Sequence, residues 1–123
     1  MPKTPAEKLL IKPGSSVYKA GATPETRDLL DPLPEDAAYV EHTDNADVAV
    51  LFAMSHANLD DLLEANLEDL RGTRAAWIGY LKGGRSDINR DTIWARVNEL
   101  NWTLNANVAI SEEWSAVRLK ALD

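Results

Sequence analysis

The loop over residues 82–90 concentrates positive charge in a chain that is otherwise acidic. The chain of 123 residues has a formal net charge of -7. In this loop three basic residues stand against one acid: Lys82, Arg85 and Arg90 against Asp87. Gly83 and Gly84 can turn successive amide N–H groups towards an anion, and the start of a following helix adds partial positive charge. The loop is a candidate phosphate or carboxylate site, although turn formation and helix capping explain the same residues without a ligand.

Ser55 and His56 stand where a buried strand would turn into a helix. A nucleophilic serine at such a turn usually lies between two glycines, and here alanines occupy both positions. We therefore interpret Ser55 as a helix cap and His56 as a half-exposed polar residue. No catalytic residue is assigned.

Composition excludes several classes of function. The chain has no cysteine and two histidines, so we expect no metal site. Its acidity argues against a nucleic-acid partner. No apolar run is long enough for a membrane span or a signal peptide, so we expect no membrane partner and a cytoplasmic location. Trp77, Trp94 and Trp114 lie in apolar stripes that predict core packing, whereas Trp102 is predicted to be exposed.

Hydrophobic periodicity predicts an alternation of strands and helices. We expect a flexible leader over residues 1–8 and one domain over residues 9–123. The predicted strands cover residues 16–20, 38–42, 46–53, 75–80, 106–110 and 115–119. The predicted helices run from Thr23 to about residue 30, over 59–70 with Ser55 or Asn58 as cap, and over about 93–100 with Asn89 or Asp91 near the cap.

This order of elements predicts a three-layer α/β sandwich with a mostly parallel six-stranded sheet. It resembles a shortened class I methyltransferase-like Rossmann fold, which implies the strand order 2-1-3-4-6-5 with strand 6 antiparallel. Four segments carry a further resemblance: LLIKPG at 9–14, ADVAVLF at 46–52, WIGYLKGGR at 77–85 and WSAVRL at 114–119. They resemble an uncharacterised family of short bacterial, actinobacterial-type proteins. This resemblance implies the fold and brings no known activity.

The methyltransferase resemblance also implies residues that would hold S-adenosylmethionine. Such enzymes carry an acid and a glycine-rich turn after the first strand, where this chain has Lys19 and the single Gly21. A second acid, which holds the ribose at the end of the second strand, is matched by Glu41. Gly21 and Glu41 are therefore the cofactor-binding candidates if the chain is an enzyme.

Ligands of doubly wound sheets bind beyond the carboxyl ends of the strands. The candidate ligand-binding residues at that crevice are Gly21, Thr23, Ser55, His56, Lys82, Gly83, Gly84, Arg85 and Arg90. Our main interpretation is a non-catalytic domain that binds a small anionic or nucleotide-like molecule, or a protein partner, with no cofactor expected. The alternative is a minimal S-adenosylmethionine-dependent methyltransferase. We expect a monomer or a weak homodimer that pairs through the exposed edge at residues 105–110.

Overall fold

The computed structural model describes residues 4–21, 29–43, 46–83 and 87–122. Within these ranges the strands are β1 (Ser16–Ala20), β2 (Ala38–Val40), β3 (Val48–Phe52), β4 (Ala75–Leu81), β5 (Trp102–Ala109) and β6 (Trp114–Ala121). The α-helices are α1 (Pro5–Lys8), α2 (His56–Asn66) and α3 (Arg90–Glu99), and a 3₁₀ helix covers Asp69–Gly72. The predicted helix that begins at Thr23 lies almost wholly outside the described residues.

The six strands form one sheet in the order β2-β1-β3-β4-β6-β5. Neighbours from β2 to β4 are parallel, whereas β6 runs antiparallel to both β4 and β5. The predicted fold class and strand order are therefore confirmed. β5 begins four residues before the predicted strand, because Trp102 already pairs with Ala121. β5 is an edge strand, and the homodimer through it stays a prediction.

Apolar side chains cover both faces of the sheet. All five residues of β3 are buried, and alternate residues of a strand point to opposite faces. Ala49 and Leu51 pack into the cluster that holds the buried residues of α2 and α3. Val48, Val50 and Phe52 belong to the second cluster. The continuous apolar run of this strand is thus explained by burial on both sides.

The second cluster reaches into the segment for which the sequence predicts a flexible leader. The side chain of Thr4 caps α1 together with Glu7, and Ala6 is fully buried beside Leu9 and Ile11 in the cluster. A capped turn and an apolar contact therefore hold residues 4–8 against the sheet, and the domain boundary at residue 9 stays a prediction.

The helix α2 is shorter than its leucine stripe predicts. It ends at Asn66, and Leu67 and Leu70 remain buried although they lie beyond the α-helix. An ion pair joins α2 to α3, because the Arg96 Nε lies 2.6 Å from the Asp60 Oδ1. The hydrogen bond to Asp60, followed by the charge of that carboxylate, raises the pKa of Arg96. The two helices that cover one face are thus also linked at their surface.

The tryptophans differ from the prediction in two places. Trp102 is only 3% exposed, whereas Trp94 is 48% exposed. Trp102 opens β5 and packs into the cluster below α2 and α3. Trp94 lies on the outer side of α3, where its indole Nε1 donates to the Thr103 hydroxyl at 3.2 Å. The exposure of these two residues is therefore the reverse of the expectation.

Within the described ranges, no helix is both long and apolar enough to cross a membrane.

We predict that Gly79→Ala destabilises the protein by about 1–3 kcal/mol, the usual cost of overpacking a core. A Cβ at Gly79 would lie 2.9 Å from the Phe52 Cδ1, and Phe52 is fully buried. Urea unfolding monitored by tryptophan fluorescence measures this difference in free energy.

Gly72→Ala is the matched control. A Cβ at Gly72 meets nothing within 4 Å, so its effect should stay within about 0.5 kcal/mol, as for most surface substitutions. Equal effects at the two positions would contradict the packing argument.

Candidate functional site

The carboxyl ends of the parallel strands β1 to β4 lie at the same end of the sheet. Ala20 pairs with Leu51 and Phe52 pairs with Gly79, so the ends of β1, β3 and β4 are neighbours. The following residues of the predicted crevice lie directly after these strands: Gly21, Ser55, His56, Lys82 and Gly83. Thr23, Gly84 and Arg85, which the sequence places in the same crevice, lie outside the described residues.

Gly21 has a structural reason to be glycine. Its φ of 72° lies in the left-handed region, where a side chain is strained. A Cβ at this position would also lie 2.2 Å from the Phe52 carbonyl oxygen and 3.3 Å from the Leu62 Cδ1. The close approach of β1 to the end of β3 thus explains this glycine without a ligand.

Ser55 caps α2, as the sequence predicts. Its hydroxyl accepts the amide N–H of Asn58 at 3.1 Å, and the Asn58 side-chain oxygen accepts the amide N–H of Met54 at 2.9 Å. This pair of bonds satisfies amide groups at the start of the helix. Ser55 therefore serves the turn and shows no sign of an activated nucleophile.

Asp87 provides a contact that the sequence analysis missed. Its Oδ1 accepts the amide N–H of His56 at 2.7 Å, and it places a negative charge at the positive end of α2. The sequence suggested only a capping role for Asp87 within its own loop, because local spacing cannot reveal a partner 31 residues away. The loop after β4 and the start of α2 are thereby tied together.

Backbone carbonyls of the turn between β5 and β6 bind Lys82. Its Nζ donates to the Ser111 carbonyl at 2.7 Å, and its amide N–H donates to the Glu113 carbonyl at 2.8 Å. These bonds fasten the end of β4 to that turn. The role of Lys82 in binding an anion stays a prediction.

A cavity of about 350 Å³ does bring three of the candidates together. It is lined by Lys82, Gly83 and Arg90 with Tyr80, Asn89 and Asp91. Arg90 is the exposed first residue of α3, and the side chain of Asn89 caps this helix by accepting the Thr92 amide N–H at 3.0 Å. The cavity contains an acid beside its basic residues, so it is polar without being strongly cationic.

Glu41 stands at the end of β2, where the resemblance predicts a ribose-binding acid. Val40 pairs with Tyr18 of β1, so the next residue of β2 lies beside the carboxyl end of β1. Glu41 is exposed. Lys19, which replaces the acid usual at the end of the first strand, places its ammonium group 4.4 Å from the centre of the Tyr39 ring.

The side chains beneath this end of the sheet belong to the core. Tyr80 is buried in the cluster that holds α2 and α3. Tyr18 packs against the same cluster, and its hydroxyl donates to the Asn66 side-chain oxygen at 3.1 Å. In the part of the chain that the structure describes, no three histidines or carboxylates come together as a metal-binding group.

Solved structures share this fold. A Streptococcus agalactiae protein of the NADB-Rossmann superfamily matches with a TM-score of 0.60 and 9% identity, over 98% of this chain and 69% of that chain. The Bacillus subtilis tRNA methyltransferase TrmK matches with a TM-score of 0.57 and 13% identity, over 95% and 63%. Streptococcus pneumoniae Sp1610, in complex with S-adenosyl-L-methionine, matches with a TM-score of 0.51 and 10% identity, over 88% and 55%.

No family model matches the sequence, and a search of curated proteins finds no significant match. The similarity to the solved structures shows that the fold is a methyltransferase-like Rossmann fold. The chain spans between 55% and 69% of the length of these three neighbours.

These neighbours overturn the main functional interpretation from the sequence, which was a non-catalytic binding domain without a cofactor. A named methyltransferase is among them, and another was solved with S-adenosyl-L-methionine. They favour the alternative interpretation, a methyltransferase-like enzyme.

We predict that Gly21→Ala destabilises the protein by about 2–5 kcal/mol. The substitution adds left-handed backbone strain to a steric overlap with the Phe52 carbonyl. The free energy of unfolding in urea measures the effect.

Gly83→Ala is the control at nearly the same backbone angle, since φ is 70° at Gly83 and its surroundings are open. It should cost only the strain, about 1–2 kcal/mol. If the two variants lose equal stability, the close contact with Phe52 does not determine the residue at position 21.

Proposed function

We propose that this protein binds S-adenosylmethionine at the carboxyl edge of β1 and β2 and transfers its methyl group to an acceptor. The observation that carries this proposal is the position of Glu41. The acid stands exposed directly after β2, beside β1, in a fold that is shared with the B. subtilis methyltransferase. A carboxylate there can accept hydrogen bonds from both hydroxyl groups of a ribose.

The described residues fit the ribose half of such a cofactor. The Glu41 carboxylate lies on the side of β1 away from β3 and is not buried in the core. Gly21 leaves the end of β1 without a side chain, although its close contact with Phe52 is structural. Tyr39, with Lys19 over its ring, precedes Glu41 by two residues and stiffens the short edge strand from which the acid projects.

S-adenosylmethionine would supply an electrophilic methyl group on a sulfonium, so the protein has mainly to position and desolvate the two reactants. Glu41 would anchor the ribose by its charge. The bonds of Ser55 and Asp87 would hold the start of α2 in place beside the ends of β3 and β4. The 350 Å³ cavity at Lys82 and Arg90 would lie on the acceptor's side of the edge.

One departure predicts weak cofactor binding. Lys19 replaces an acid and is engaged with Tyr39, so one expected anchor is lost. The proposal includes the cytoplasmic location that the sequence predicts, and it leaves the acceptor unassigned.

We predict that S-adenosylmethionine and S-adenosylhomocysteine bind the protein and that Glu41→Gln weakens both by about tenfold or more. A hydrogen bond to a charged group contributes about 1.5–3 kcal/mol, which corresponds to such a change in the dissociation constant. Isothermal titration calorimetry on the full chain measures the affinity.

Glu64→Gln is the matched control, because Glu64 is an exposed acid of α2 and its substitution changes the net charge equally. It should leave both affinities unchanged. The proposal fails if the unsubstituted protein binds neither compound at millimolar concentration, or if the two variants weaken binding to the same extent.

A further inference from the structure

A second groove lies at the amino ends of β4 and β5. Glu41 and Gly21 lie at the opposite end of the sheet, where the parallel strands finish. The groove has a volume of about 380 Å³ and is formed by the 3₁₀ helix, the start of β4, the start of β5 and the end of β6. Four basic residues line it: Arg71, Arg74, Arg118 and Lys120. No carboxylate belongs to the described lining. Positive charge is therefore concentrated here, in a chain whose net charge is -7.

Hydrogen bonds to the backbone hold two of these arginines in place. The Arg74 Nη2 donates to the Leu10 carbonyl and to the Ser15 hydroxyl, both at 3.0 Å. The Arg118 Nη2 donates to the Arg74 carbonyl at 3.1 Å. Both guanidinium groups are thus oriented through Nη2, and among the described residues nothing accepts from their Nε or Nη1. Oriented donors of this kind bind an anion at a lower entropic cost than mobile side chains.

Arg71 and Trp102 form the third part of the groove. The Arg71 guanidinium lies 5.4 Å from the centre of the Trp102 ring, and its Nε is 3.3 Å from the Glu68 carboxylate. Trp102 is 3% exposed, yet its indole N–H donates to no acceptor within the described ranges. Buried donors almost always have a partner. This unpaired N–H belongs to a residue that lines the basic groove, and protein atoms cover it in the structure.

We propose that this groove binds the phosphate group of a small phosphorylated molecule. A phosphate monoester carries nearly two negative charges and three strong acceptor oxygens, which matches a lining with several basic side chains. Arginine is well suited to this recognition because its N–H groups can donate in parallel. A volume of about 380 Å³ lies within the range of small-ligand pockets.

The other class of ligand with phosphate groups is nucleic acid, which the observations favour less. A nucleic-acid backbone requires a long positive surface to neutralise successive phosphates. Here the basic residues are confined to one groove of an acidic protein. The sequence predicts an anion site in the loop at residues 82–90. The groove is separate from it, because the groove lies at the start of β4 and the loop follows the end of β4.

Nuclear magnetic resonance of the full chain tests this site through the indole N–H of Trp102. Inorganic phosphate and glucose 6-phosphate are titrated separately, with chloride holding the ionic strength constant. We expect a saturable shift of the Trp102 indole signal with both compounds and tighter binding of the monoester. The signals of Gly21 and Glu41 should not move, which separates this site from the proposed cofactor crevice.

Two single substitutions with a matched control locate the binding. Arg118→Gln should weaken binding by about tenfold, the effect of losing a charge-assisted contact. Lys120→Gln changes an exposed side chain of the same groove. It therefore measures the contribution of the groove to binding even if the Arg118→Gln variant does not fold. Lys8→Gln removes an equal charge at the other end of the strands, where its Nζ donates to the Ala109 carbonyl, and should leave the affinity unchanged.

Three results would overturn the proposal. The first is the absence of a saturable Trp102 shift at millimolar concentrations of either compound. The second is an equal loss of affinity in Lys120→Gln and Lys8→Gln, which would show a response to overall charge alone. The third is tighter binding of a short single-stranded RNA than of the monoester, which would identify the groove as a polyanion surface.

Discussion

The enclosure of Phe52 at the carboxyl end of β3 is the constraint on which the arrangement of the strand ends depends. Its ring packs edge-on against Trp114, with 5.6 Å between the centroids, and leaves no room for a side chain at Gly79. Its carbonyl oxygen leaves no room for one at Gly21. Because β3 is buried on both faces, these contacts cannot relax towards solvent. The ends of β1, β3 and β4 are therefore held together before any ligand binds.

The tertiary structure places its most basic surface away from the most basic segment of the sequence. The sequence places its clearest basic cluster at residues 82–90, but there Lys82 binds the Ser111 carbonyl and Asp87 binds the start of α2. Both side chains stabilise connections between elements. At the opposite end of the sheet, Arg74 and Arg118 are brought together from positions 44 residues apart. The groove that Arg74 and Arg118 line is more basic than the loop. No run of neighbouring residues in the sequence indicates this groove.

The likeness to methyltransferase structures lies in the fold more than in sequence motifs. The sheet, with the antiparallel β6 between β4 and β5, belongs to a fold shared with neighbours at 9–13% identity. Glu41 follows β2, where we propose that an acid binds a ribose, whereas Lys19 contacts Tyr39 at the end of β1. Backbone hydrogen bonding and burial preserve a sheet through extensive sequence change, while cofactor contacts depend on single side chains.

The sequence by itself determined the six strands and their order, together with the helices α2 and α3. The buried runs, the leucine stripe of α2 and the caps at Ser55 and Asn89 are local patterns, and local hydrogen bonding and hydrophobic periodicity are sufficient to specify them. Only the tertiary structure decided the burial of Trp102 and the partners of Lys82, because these depend on which distant elements become neighbours. Long-range pairing leaves no trace in residue spacing. For this reason the fold could be predicted from the sequence, whereas the partners of most candidate site residues could not.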